Sequence, residues 1–253
     1  MKMVKLACIG ILAAAMVGGC ASYATPGRGA DLSSIGVNDY TRKGLTDPQV
    51  GVTLDKKPLA RFPTSIALVR IQAPEYRSRS VSSFGTGQYS IVTTRDVETD
   101  EQFARIAKLP MIAGLAPMNR LLFQNDLESD LQLREAAAKL HADMLLIYTF
   151  DTSFYNNQMA QPLNVVSLGL SPTKTIRVTT TVSAVLMDTR NGYIYGLAES
   201  SGTRNKLTNV WMSQDMMDDA RKNNEKEAFE KLVGEFEKTW GMVVNQYAVS
   251  GAE

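Results

Sequence analysis

The sequence predicts an α/β (α+β) domain: a mixed sheet with an antiparallel C-terminal hairpin, packed by two or three helices, the last of them long and amphipathic. Three observations predict it. "TSIALVRIQ" (64–72) and "MLLIYTF" (144–150) are nearly continuous apolar runs, which suit central strands buried on both faces. "TIRVTTTVSAVLMD" alternates, with Ile176, Val178, Val182, Ala184 and Leu186 on one side and Arg177, Thr179, Thr181 and Ser183 on the other, the pattern of a half-buried strand. Phe229, Leu232, Val233, Phe236, Trp240, Val243, Val244 and Tyr247 recur at spacings of three and four, the apolar stripe of a helix.

The N-terminus is organised differently. Lys2 and Lys5 precede an uncharged run from Leu6 to Val17. A bilayer span needs about 20 apolar residues, so this run has the length of a signal-peptide core instead. It closes on Val17-Gly18-Gly19-Cys20. Small residues give a peptidase access to the backbone, and a thiolate is the side-chain nucleophile suited to taking up an acylglyceryl group. The stretch resembles the lipobox of bacterial lipoprotein precursors. That resemblance implies a signal peptide over 1–19, cleavage between Gly19 and Cys20, and an N-terminal Cys20 carrying lipid. An ordinary signal peptide cut after a small residue is the other reading of the same run. Ala21, not aspartate, follows Cys20; in Gram-negative lipoproteins this implies the outer membrane. Each buried methylene contributes about 0.8 kcal/mol, and two or three acyl chains would hold the protein durably on that membrane.

Composition narrows the function classes. Without Lys2 and Lys5 the chain has 25 basic residues against 26 acidic, a formal charge of −1. A general nucleic-acid binder needs a basic face, so none is expected as a partner. Cys8 leaves with the signal and Cys20 is acylated, which leaves no thiol for a disulfide or a cysteine metal site.

Residues 20–62 read as a flexible tether, punctuated by Pro26, Gly27, Gly29, Gly36, Gly44, Pro48, Gly51 and Pro58. Some 40 flexible residues span about 35 Å r.m.s.. A loop packed on the domain is the alternative. The folded domain is expected over 63–253. After its first strand, "APEYRSRSVSSFGTGQ" forms a long polar loop and "YSIVTT" (89–94) a second strand. Asp100 is positioned to cap a short helix that Pro110 ends. Residues 111–125 fit a short strand before "NRLLFQ". Ser129 with Gln132 fits a capping box, and Leu133, Ala136, Ala137 and Leu140 then share a helical face. Residues 162–170 fit a strand or an ordered loop. "DTRNG" (188–192) supplies Asn-Gly turn chemistry, and "YIYGLAESS" returns as the partner strand. Charges from Arg221 to Glu227 interrupt the apolar side of the last helix, so its N-terminal part is expected to be solvated.

The helix end "AKLHAD" leading into "MLLIYTF", followed by Asp188–Gly192 between two strands, resembles the periplasmic domain of the curli-secretion lipoproteins, the lipoprotein activators of penicillin-binding proteins and the N-terminal domain of TolB. The matching positions are Ala137, Leu140, Ala142, Asp143, Asp188 and Gly192. The long 73–88 loop and the 151–174 segment depart from that group.

Candidate chemistry is sparse. Gly85-Thr86-Gly87 lacks the remainder of a phosphate loop. His141 is the only histidine and falls at a helix end, and the sequence has no G-x-S-x-G nucleophile motif. Asp126, Glu128 and Asp130, like Asp215, Asp218 and Asp219, fit acids favoured at helix starts. No catalytic, metal or cofactor motif emerges. Trp211, Met212, Met216 and Met217 form a cluster suited to an adaptable interface, and Arg77 and Arg79 with Tyr76 and Phe84 form a basic loop suited to lipid headgroups or a partner. The expectation is a non-enzymatic, lipid-anchored accessory protein of the outer membrane that faces the periplasm. It would bind an envelope protein during envelope assembly, secretion or surface-structure biogenesis. A subunit of an oligomeric export pore and a cell-envelope hydrolase are the alternatives.

Overall fold

The computed structural model describes residues 23–27, 29, 47–76, 78, 80–157, 173–209 and 214–248. In chain order the elements are β1 (Tyr23–Gly27), α1 (Asp47–Leu54), β2 (Thr64–Gln72), β3 (Ser83–Phe84), β4 (Thr86–Gly87), β5 (Ser90–Val92), α2 (Asp100–Ala107), β6 (Ile112–Pro117), β7 (Asp126–Leu127), α3 (Asp130–Lys139), β8 (Met144–Asn157), β9 (Thr173–Asp188), β10 (Ile194–Asn209) and α4 (Gln214–Val243). A 3₁₀ turn covers Arg120–Leu122, and α4 ends in a π-helical turn over Val244–Ala248.

The main sheet is mixed, in the order β10-β9-β8-β2-β5-β3, with β6 also on β2 and β1 also on β8. Apolar continuity selects the centre: β2 runs parallel to β8, Ile66 opposite Met144 and Val69 opposite Ile147. The period-two segment becomes β9, antiparallel to both neighbours. Side chains that alternate along β2 divide between two cores. Ile66 and Leu68 face α2 and α4, with Phe103, Ile106, Phe229, Leu232 and Phe236. Ala67, Val69 and Ile71 face α3, with Leu133, Ala136 and Ala137. The predicted fold class is the one observed, with three helices sandwiching the sheet.

Strands β8, β9 and β10 run on beyond the end of the β2 pairing as a ribbon, with β1 added to the β8 edge at Thr152–Phe154. From Ile147, where β2 stops pairing, to Asn157 is about 30 Å at 3.3 Å per residue. The far end of this ribbon carries Asn157, Thr173 and Asn209. Its near end is the turn between Asp188 and Ile194. Helix α4 lies antiparallel to β10: Asn224 Nδ2 donates to Gly202 O at 3.1 Å near the start of the helix, and Thr239 Oγ1 to Leu197 O at 3.4 Å near its end. Trp240 Nε1 donates to Pro110 O at 2.8 Å and fastens the last turns of α4 to the body of the domain.

The structure differs from expectation in several places. Strand pairing begins at Tyr23, well ahead of the boundary expected at residue 63: β1 pairs with β8, and Gly29 bridges Gln72. Residues 57–60 also dock, Leu59 N donating to Asp188 Oδ2 at 2.8 Å and Ala60 N to Tyr195 Oη at 3.0 Å. These backbone donors answer buried acceptors, which a solvated tether would leave unmatched. Residues 30–46, like the 162–170 segment, lie outside the described residues. Helix α2 is capped by Thr99, whose hydroxyl accepts from Gln102 N at 3.4 Å while Gln102 Oε1 accepts from Thr99 N at 2.8 Å; Asp100 is the first helical residue instead. The 73–88 loop contributes β3 and β4. The N-terminal half of α4 is not solvated: Arg221, Asn224 and Glu225 are buried.

Candidate functional site

The buried charges of α4 belong to the densest polar cluster among the described residues. It begins in β2, where Arg70 interrupts the apolar run. Its guanidinium lies 4.4 Å over the Phe150 ring, and Nη1 reaches Asp96 Oδ1 at 3.2 Å and Glu98 Oε1 at 3.3 Å. Nη2 donates to Tyr76 Oη at 3.1 Å, and Tyr148 Oη donates to Glu98 Oε1 at 2.9 Å. From α4, Arg221 brings Nη2 to Asp96 Oδ2 at 2.8 Å and Nη1 to Glu225 Oε2 at 2.6 Å. Its Nε donates to Asp218 Oδ1 at 3.0 Å. Asp96 therefore bridges the two arginines, one on the sheet and one on the helix. Thr152 Oγ1 of β8 donates to Glu225 Oε1 at 2.8 Å, and Asn224 Nδ2 donates to Thr180 Oγ1 of β9 at 2.9 Å.

Burial and charge set the protonation of this cluster. Burial alone would raise the Asp96 carboxyl, but hydrogen bonds from Arg221 and the charge of Arg70 outweigh it and hold it below the usual carboxylate range. At Glu225 burial wins against Arg70 and Arg221, and the carboxyl is raised. Burial works against the charged form of Arg70, but Glu98, Tyr76, Glu225 and Tyr148 together more than compensate, so this guanidinium stays charged. Burial beside Glu98 pushes the Tyr148 phenol well up. The hydrogen bonds of Asp96, Glu98 and Glu225 come from guanidinium, hydroxyl or backbone N–H groups of the fold itself. The arrangement clamps the start of α4 to β2, β8 and the segment before α2. Arg70 Nε and Asn224 Oδ1 are the atoms of the cluster left without a hydrogen-bond partner among the described residues.

A second cluster surrounds Asp188 at the near end of the ribbon. Its buried carboxylate accepts from Leu59 N at 2.8 Å, Tyr195 Oη at 2.9 Å and Arg190 N at 2.8 Å. Gly192, at φ 70°, closes the turn by donating to Asp188 O at 3.0 Å. The Asp188 and Gly192 of the sequence resemblance thus join the hairpin to the segment ahead of β2. Next to them, Tyr247 and Tyr193 share a hydrogen bond at 2.9 Å, and burial pushes the Tyr247 phenol up to about 12.

The residues singled out from the sequence fall in different places. Met217 packs against Phe154, Ile176, Val178 and Ala220, while Met216 is 39% exposed. Trp211, Met212, Arg77 and Arg79 lie outside the described residues, as do Gly19 and Cys20. His141 takes a left-handed conformation, φ 55°, after α3, where its carbonyl accepts from Ser65 Oγ at 3.0 Å. Asp130 pairs with Arg134 at 2.8 Å. At Gly85, φ 103°, a Cβ would meet Leu127 Cδ1 at 2.4 Å, so close packing on β7 accounts for the glycine. An apolar crevice of about 10 Å³ between Leu146, Tyr148, Phe229 and Leu232 has room for one water at most. The described residues hold no cluster of three or more His, Cys, Asp or Glu side chains placed for a metal, and no described helix is long and apolar enough to cross a membrane.

Sequence reasoning passed over Arg70 and Glu98 and expected Arg221 in water. The signal was a single arginine inside an apolar strand, which calls for a buried acid elsewhere in the chain. No protein-family model matches the chain, and no curated protein matches it.

The ribbon also exposes an edge. Among the described residues β10 has one neighbouring strand, β9, so no strand covers its outer edge, although α4 reaches the Leu197 and Gly202 carbonyls through Thr239 and Asn224. Leu197 is 65% exposed and Ile194 44% exposed on this strand.

Proposed function

We propose that the protein is a lipid-anchored accessory protein of the outer membrane whose work is binding an envelope protein. The observation that carries a binding role is the open edge of β10. A long edge strand offers unpaired N–H and C=O groups to an added strand, and proteins that do not use such edges shorten, charge or cover them. Here Leu197 is exposed on that edge strand, and α4 packs on the ribbon's other face. The lipobox-like Val17–Cys20 run supports the anchoring half of the reading, since confinement at a membrane raises the effective concentration for a partner there.

The export-pore reading draws on the length of the ribbon. A membrane barrel needs an apolar outward band on strands of about 10 residues. The outward face of the ribbon instead carries Asp151, Ser153, Tyr155, Arg177, Thr179, Thr181, Ser201 and Thr203, and its other face packs on α4. That favours the adaptor. A carboxylate-based hydrolase remains the third reading.

A photo-crosslinking residue at position 197 in the living cell tests the proposal against the same residue at position 131, an exposed leucine on α3. The adaptor reading expects one reproducible envelope protein crosslinked from 197 and none from 131. Crosslinking from both positions alike, or from neither, would contradict it.

A further inference from the structure

We infer that the far end of the β8–β9–β10 ribbon faces a glycerophospholipid surface, held there by a leash of three residues; the inference rests on the proposed acylation of Cys20. Strand β1 runs antiparallel to β8, with Gly27 opposite Thr152 and Tyr23 opposite Phe154. From Gly27 back to Tyr23, β1 runs the way β8 runs forward, toward Asn157. A residue spans at most about 3.6 Å, so in any conformation Cys20 Cα lies within about 11 Å of Tyr23 Cα. Acyl chains in the hydrocarbon hold their cysteine at the headgroup level. Strand β8, one strand spacing of about 4.8 Å further on, then lies within about 16 Å of that level. A 40-residue tether would impose no such limit, because its reach of about 35 Å would let any face turn to the membrane.

The chemistry of that end fits a headgroup layer. Tyr155 is 58% exposed there, and an amphipathic ring suits the water–lipid interface. Around it on the outward face are the hydroxyls of Ser153, Thr179 and Thr203 and the amide of Asn205, which pairs with Arg177 at 3.2 Å. Arg177 is exposed and, among the residues of this face beyond Asp151 whose side chains are described, is the charged one, suited to a headgroup phosphate. The acids Asp215, Asp218 and Asp219 are on α4, across the ribbon. The near-end turn is about 40 Å away along β9.

The test uses the full-length acylated protein in vesicles of phosphatidylethanolamine and phosphatidylglycerol doped with headgroup spin-labelled lipid. A fluorophore is attached at Ser153→Cys, or at Leu131→Cys near the turn end, where Asp130 and Arg134 of the same helix approach Gly192. Quenching several-fold stronger at 153 than at 131 supports the inference. Equal quenching at both positions, with lipid on Cys20 confirmed by intact mass, overturns it. A 20-residue Gly-Ser insertion after Ser22, of about 25 Å r.m.s. span, is expected to abolish the difference. A difference that survives the insertion would overturn the leash. A chain whose Cys20 carries no lipid would refute the anchoring proposal itself, a failure read separately by mass.

Discussion

Asp188 shows how one side chain ties distant segments together. Its carboxylate joins the backbone of Leu59, the phenol of Tyr195 and its own turn at Arg190. Hydrogen bonds to a charged group contribute about 1.5–3 kcal/mol each, and a buried donor left unmatched costs about as much again as a neutral bond. Asp188→Ala is therefore expected to lower stability by about 3–5 kcal/mol in urea unfolding, with Asp188→Asn losing about half of that. An effect below 1 kcal/mol would mean that water replaces the carboxylate. Gly85→Ala is expected to cost about 1–3 kcal/mol, because the added Cβ meets Leu127 at 2.4 Å on a backbone at φ 103°. At this scale the sequence was partly legible. The turn residues Asp188 and Gly192 announced themselves through local chemistry, and the glutamine of the α3 cap through its spacing from Ser129. What Asp188 holds at Leu59 was not legible, since a contact across more than 100 residues leaves no local pattern.

Helix α4 is the element where sequence and structure part most clearly. Its C-terminal stripe, Phe229 to Val243, was readable because apolar burial repeats with the helical period. Its N-terminal half broke that pattern and was expected in water, yet Arg221 and Glu225 are buried against partners in the segment before α2, on β2 and on β8. Polar residues buried by long-range pairing mimic a solvated face in sequence. Removing one partner strands a buried charge, so Arg221→Ala is expected to cost about 3–5 kcal/mol. Hydrogen exchange should show the loss concentrated at 214–228, with 229–243 still protected; a uniform loss would contradict a local clamp. The same cluster sets an acid profile. Asp96 has a lowered folded carboxyl, so its contribution is present above the unfolded value near 3.9 and is lost as pH falls through the folded one. Glu225 has a raised one, so the native state takes up its proton first and stability rises as pH falls from neutral toward about 4.3. Unfolding midpoints across pH 7 to 3 are expected to rise and then fall. Glu225→Gln should remove the rise and leave the fall.

For the whole molecule, the fold class was legible because the two buried runs, one alternating strand and one striped helix each carry their own period. The site was not. Edge exposure of β10 depends on strand order, and strand order depends on which residues pair across the sheet. The pairing of β1 with β8 likewise hid inside a Pro- and Gly-rich stretch that reads as a linker. With the proposed anchor at Cys20, the pairing of β1 with β8 would turn the ribbon end toward the membrane, and among the described residues no strand covers the β10 edge. The central claim is that this anchored edge binds another envelope protein. Gentle detergent extraction of the full-length protein, followed by its native mass and the identity of co-extracted proteins, tests that claim most directly. The account predicts a small assembly carrying one reproducible envelope protein. A ring-sized assembly of this chain alone, or a lone monomer released without detergent, would contradict it.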